Sequence, residues 1–312
     1  MKKIISLVLV GILSLSLFAC GKKSIGVATG GTSGTYYGFT NIIAQTLNEK
    51  YKDKLNLTVE STGASKANIQ LIDSGDDQIA IVQNDVMYYA YSGTDMFAGE
   101  KPITSFSAIA SCYPEAIQIV ANKNINSIAD LKGKKVSVGD AGSGTEFNAK
   151  QILGVYDIDI DKDIVKNNQS FADSCDSIKN GTIDAAFVTA GAPTTAVTEL
   201  ATTYDFNILS LDNQHMSKLT NQYQYYTELT IPANTYSCVK NDVKTVAVMA
   251  TFIASNKLDE ETVYTFTKAL FEDKDQFQHV KAENLNPNTG ISGISIPFHP
   301  GAEKYYKEIG LK

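Results

Sequence analysis

Apolar runs of strand length alternate with stretches whose apolar residues recur every three or four positions. This alternation predicts an α/β protein with mostly parallel sheets. Residues 24–29 read as a strand, followed by a helix with Phe39, Ile42, Ile43, Thr46 and Leu47 on one face. Strands follow at 55–60 and 78–82, the second ending at Gln83, Asn84 and Asp85, where another helix begins. Two longer β-like runs, 106–113 and 116–122, are separated by Pro114. After a capped turn at 127–133 the pattern restarts, with helices at 146–153 and 171–180 and strands near 163–166, at 185–188 and at 207–211. The loop 189–193 opens a further helix, with Pro193 in the early position that helices tolerate. The run 243–255 reads as a second long strand, and 260–277 as a helix with Val263, Phe266, Leu270 and Phe277 on one face.

The long runs imply that the chain passes between two lobes twice, near 112–118 and near 236–248. Residues 20–113 and 245–312 would form a discontinuous lobe 1, and 114–244 lobe 2, with the C-terminal helix packing back onto lobe 1. Residues 1–19 read as a lipoprotein signal peptide: Lys2-Lys3, an apolar core at 4–17, then Leu17-Phe18-Ala19-Cys20. Cys20 would carry the lipid, anchoring the protein to the cell membrane on its extracytoplasmic face. No other stretch is long and apolar enough to span a bilayer.

Composition narrows the partner. The net charge of −7 argues against nucleic acid. All 27 basic residues are lysine, so a carboxylate ligand must rest on backbone N–H groups, hydroxyls or a lysine point charge rather than a guanidinium fork. Sixteen tyrosines and no tryptophan leave tyrosine to line a polar site. Beyond Cys20, an odd set remains: Cys112, Cys175 and Cys238, expected as thiols, although Cys112 and Cys238 could approach each other near the crossings. His215, His279 and His299 are scattered, without metal-ligand spacing. No nucleophile is set beside a base, so neither an enzyme nor a cofactor is expected.

The candidate chemistry lies in a repeated tripeptide. Ser33-Gly34-Thr35 and Ser143-Gly144-Thr145 each sit between a strand and a helix. Such turns present free backbone N–H groups and the positive end of a helix dipole. Two of them suggest two helix ends facing one anion across a cleft, outside the carboxyl ends of the strands. Tyr36 and Tyr37 pack in the core or reach a ligand. Asp85 reads as a helix cap or a ligand contact. Glu115 pairs with a ligand amino group or, the favoured reading, locks the hinge.

Several stretches in order resemble one family: 30–37 (GGTSGTYY), 81–86 (IVQNDV), Tyr113-Pro114-Glu115, 130–139 (DLKGKKVSVG), 142–145 (GSGT), 181–187 (GTIDAAF) and 297–302 (PFHPGA). They are similar to TAXI-family solute receptors of tripartite ATP-independent periplasmic (TRAP) transporters. Gly38 stands where that family often has proline, and Ser237-Cys238 replaces a more usual glycine-containing pair. The resemblance implies a two-lobed periplasmic-binding-protein fold, type II-like, that delivers a glutamate- or glutamine-like carboxylate to membrane permease subunits. The expected ligand set is Thr32, Ser33, Thr35, Tyr36, Gln83, Ser143, Gly144, Thr145, Gly191 and Tyr236, with no metal. The alternatives are an ABC-type receptor for an oxyanion and a solute-sensing subunit of a membrane kinase.

Overall fold

The structure, a computed structural model, describes residues 24–312. The expected signal peptide and Cys20 lie outside them. The chain begins with three strand–helix units: β1 (Ile25–Ala28), α1 (Thr35–Lys50), β2 (Leu57–Glu60), α2 (Ser65–Ser74), β3 (Ile79–Gln83) and α3 (Asn84–Ser92). β1 lies between β2 and β3, parallel to both. A long strand, β4 (Phe106–Asn122), then leads to β5 (Lys135–Ser137), α4 (Gly144–Val155), β6 (Val165–Asn167), α5 (Phe171–Lys179) and β7 (Ala185–Ala190). Next come α6 (Thr195–Ala201), β8 (Phe206–Ile208), α7 (Asn213–Gln222), β9 (Thr227–Ile231) and a second long strand, β10 (Val243–Ser255). The chain closes with α8 (Glu260–Glu272), α9 (Pro287–Gly290) and α10 (Pro300–Glu308), the last packed against α8.

Hydrogen bonding joins the strands in the order β2-β1-β3-β10-β4-β7-β5-β6, with β8 on β4 and β9 on β10. The outer strands are parallel, but β4 and β10 run antiparallel to each other and to β7 and β3. The sheet is therefore mixed rather than mostly parallel. Pro114 does not split β4 in two. It stands opposite Met249, and a register shift between Ala250 and Thr251 lies beside it. Such an irregularity is where a strand accommodates a residue with no N–H to donate. Pro193 follows a cis peptide bond and precedes the N-cap Thr194 of α6, so it lies before that helix and not in its first turn.

The apolar residues collect on either side of the middle of β4 and β10. Ile43, Leu47, Phe252 and Phe266 belong to one core, and Val82, Met87, Phe106 and Ile253 to a second on the opposite face of the same strands. Ile119, Val136, Ile152 and Phe187 form a third, and Val120, Val188, Phe206 and Tyr236 a fourth. Each fully buried side chain of this size contributes about 1.5–3 kcal/mol. The result is a two-lobed molecule whose lobes share two adjacent strands.

One buried acid works against this stability. Both carboxylate oxygens of Asp77 are buried without a hydrogen-bond partner, packed against Gly26. Burial first, then the carboxylates of Glu60 and Asp76, pushes its pKa up to about 6. An acid raised above its unfolded value of about 4 favours the fold when protonated, and that contribution is lost as the pH rises through about 6. Asp77→Asn is therefore expected to flatten the fall in stability between about pH 4 and pH 6. At neutral pH it should gain about 1–2 kcal/mol, allowing for water in the adjoining surface pocket. Scanning calorimetry across that range checks this, and identical pH slopes for the two proteins would contradict it.

Candidate functional site

The loop after β1 and the first turn of α1 contribute Gly30, Ser33, Gly34, Thr35 and Tyr36 to the wall of a cavity. The opposite wall carries Asp140 in the loop beyond β5, Ser143 and Thr145 at the start of α4, and Thr189 and Ala190 at the end of β7. Gln83, Glu115, Ala64 and Phe171 close it. The space open to the centre of a water-sized sphere is about 40 Å³. By that measure one water needs about 10–15 Å³, so the cavity has room for a few waters or a small polyatomic ion. Gly30, Gln83, Asp140 and Thr189 all lie at or just beyond the carboxyl ends of parallel strands, where α/β sheets bind ligands.

The two helix ends differ in how their amides are used. Gly34, the N-cap of α1, has an extended backbone and no side chain caps the turn, so amides there remain available to a ligand. At α4 the Ser143 hydroxyl accepts from the Glu146 N–H at 3.2 Å, and Gly142 N donates to the Glu146 carboxylate at 2.7 Å.

Behind the cavity a buried polar network joins the lobes. Gln83 Nε2 donates to Asn148 Oδ1 at 2.7 Å and to Asp85 Oδ1 at 3.3 Å. Asn148 Nδ2 donates to Asp85 Oδ2 at 3.0 Å and to the Tyr226 hydroxyl at 2.8 Å. Thr189 Oγ1 donates to Asn148 Oδ1 at 3.2 Å. Burial pushes the Asp85 carboxyl up to about 6 despite the hydrogen bonds from Val86 N–H, Asn148 and Gln83. Rings continue the contact: Tyr88 and Tyr89 on α3 lie 5.3 and 5.9 Å from Tyr225, and Tyr89 lies 5.3 Å from Phe147. Elsewhere along the seam, Thr35 Oγ1 donates to Gly191 O at 3.0 Å, and Lys281 Nζ donates to Ala192 O. Gly191 has no side chain because Lys281, Thr35 and Tyr113 fill the place of a Cβ.

Of the residues singled out from the sequence, Ser33, Thr35, Tyr36, Gln83, Ser143 and Thr145 line the cavity. Gly144 abuts the Gln83 amide. Thr32 is exposed and off the wall, and Gly191 supports Thr35 from behind. Tyr236 sits a layer deeper, where its hydroxyl accepts from Thr194 N at 2.9 Å and donates to Gln118. Glu115 is a wall residue whose Oε1 accepts from the Tyr36 hydroxyl at 2.6 Å. Asp140, Phe171, Thr189 and Asn148 were missed. Asp140 and Thr189 were legible from their place at strand ends, whereas a polar residue on a helix such as Asn148 gives no signal. Cys112, Cys175 and Cys238 are thiols. Among the described residues no cluster of three or more His, Cys, Asp or Glu is placed to hold a metal.

Two α/β lobes meeting over a cavity at their strand ends, joined by a pair of adjacent strands, define a periplasmic-binding-protein fold. A solved structure of PhnD1 from Prochlorococcus marinus (MIT 9301) in complex with methylphosphonate matches 93% of this chain and 99% of its own, at 12% identity and a TM-score of 0.53. A protein from Bordetella bronchiseptica RB50 matches 92% and 83%, at 15% identity and a TM-score of 0.56. The periplasmic aliphatic sulphonate binding protein SsuA from Escherichia coli matches 91% and 83%, at 13% identity and a TM-score of 0.49. The first two likenesses establish the fold. By sequence, residues 27–310 match the NMT1-like family, and the chain belongs to it. That membership overturns the resemblance to TAXI receptors, and the expectation of a TRAP partner falls with it. Short Ser-Gly-Thr turns opening helices are a solution to anion binding, not the mark of one lineage.

Proposed function

We propose that the protein is an extracytoplasmic solute-binding protein that captures a small oxyanion in the cavity between its lobes and delivers it to an ABC-type permease. In this reading 20–113 with 245–312 and 114–244 are the two lobes, and lipid on Cys20 holds the protein at the membrane. One observation carries the reading: the N-termini of α1 and α4, one from each lobe, converge with their hydroxyls on one small cavity. Each end offers a charge up to about 2 kcal/mol when partly buried, and hydrogen bonds to an ionised group add about 1.5–3 kcal/mol each. An anion bound by both lobes favours their closed arrangement, which is the signal a permease can read. The fold likeness to PhnD1 supports including phosphonates among the candidates.

Titration calorimetry of the purified chain in excess chelator tests this with phosphate, sulfate, methylphosphonate, methanesulfonate and small carboxylates. At least one oxyanion is expected to bind with the chelator present. Silence across the panel would overturn the assignment.

A further inference from the structure

The cavity wall carries acids where an anion site would be expected to carry cations. Glu115 and Asp140 both line it, and no lysine or histidine does. Glu115, on β4, is 2% exposed. Its Oε1 is fixed by the Tyr36 hydroxyl at 2.6 Å, which leaves Oε2 for the cavity. The ammonium of Lys281, packed beside Gly191 and Tyr113, is held on the carbonyl of Ala192 instead. The titratable groups around Glu115 are Tyr36 from α1, Asp85 from α3, Tyr113 and Cys112 on its own strand, and Asp140 across the cavity. Apart from that engaged ammonium they are carboxyls, phenols and one buried thiol, so an ionised Glu115 would face a bound anion without compensation. Burial holds its carboxyl well above the usual range, and the Asp85 carboxylate adds to this against the opposing bond from Tyr36. A buried phenol–carboxyl pair kept uncharged is a known way to build a donor for an oxyanion.

We propose that Glu115 serves this site as a neutral carboxylic acid whose Oε2–H donates a hydrogen bond to the bound oxyanion. The inference rests on the oxyanion reading above and specifies its chemistry. In the neutral acid, the carbonyl oxygen keeps the bond from Tyr36 while the proton faces the ligand, so capture of the anion requires that proton to be in place. Affinity then falls as the pH rises through the titration of Glu115 in the empty site, by about tenfold per unit on the alkaline side. Ligands with an acceptor oxygen at this position are selected.

Methanesulfonate and sulfate are the probes, because their charge is constant across the range used. Affinity is measured by calorimetry from about pH 5 to about pH 9 for the wild type and Glu115→Gln, an uncharged donor of the same shape. The wild type is expected to show the alkaline fall. Glu115→Gln should keep the wild-type affinity at acid pH within about threefold and show a shallower fall, the remainder coming from Asp140 and Asp85. Wild-type binding with a flat profile overturns this inference and leaves the oxyanion reading intact. Loss of binding by a folded Glu115→Gln at every pH also overturns it, since a charged carboxylate would then be required. Absence of wild-type binding to either probe at all pH values overturns both.

Discussion

Ser143→Asp is expected to fold normally and to lose about three orders of magnitude in affinity for the anion. The hydroxyl of Ser143 caps α4 through the Glu146 N–H and lines the cavity. Aspartate is an equally good cap and favours the positive end of the helix, so the fold has no reason to suffer. The ligand does. Two like charges roughly 4 Å apart repel by about 4 kcal/mol at an effective dielectric constant of about 20, which corresponds to a roughly thousandfold loss. Ser143→Ala removes only the cap and one donor, at a cost of about 1–2 kcal/mol. Calorimetric titration beside a thermal melt separates the outcomes. Wild-type affinity in a stable Ser143→Asp protein would mean that the α4 turn is purely structural.

Gly144→Ala is expected to weaken binding roughly a hundredfold by a different route, obstruction of closure. Gly144 opens α4 in one lobe, and the place of its missing Cβ is already occupied by the Gln83 carboxamide of the other. Gln83 cannot simply swing aside, because its amide is committed to Asn148 and Asp85. Forcing it away forfeits about two buried hydrogen bonds, or about 2–3 kcal/mol. Alanine is a better helix former than glycine, so the separate lobes should be no less stable. Small-angle scattering with and without ligand would show a more open ensemble, and an unchanged profile with unchanged affinity would remove Gly144 from the closing contact.

The strands that build the core were plain in the sequence because apolar residues dominate them: β10 occupies the very run, 243–255, that its residues indicate. β4 reads as two strands because proline ordinarily ends one, and the extra residue that β4 carries at Cys112 beside Pro114 shows only in its pairing with β10. α7 and β9 were not anticipated. α7 buries only Met216 and Leu219, and β9 buries only Ile231, so neither has the apolar periodicity that identifies an element. At the site, hydroxyl-rich turns at strand ends could be found because their chemistry is local. Asn148 and the true place of Tyr236 could not, since both are defined by partners more than forty residues away in sequence. The family resemblance failed because the motifs that carried it are short, and the glycine- and hydroxyl-rich turns among them are a general way to open a helix toward an anion.

The rings across the seam have an optical consequence. The chain has sixteen tyrosines and no tryptophan, so its ultraviolet emission comes from phenols alone, unmasked by any indole. Tyr88 and Tyr89 are neighbours on α3 and pack against Tyr225 from the other lobe, so separating the lobes would take Tyr225 out of their reach. The protein thus carries its own unlabelled reporter of whether it is open or shut, readable as tyrosine fluorescence and near-ultraviolet dichroism as ligand is added.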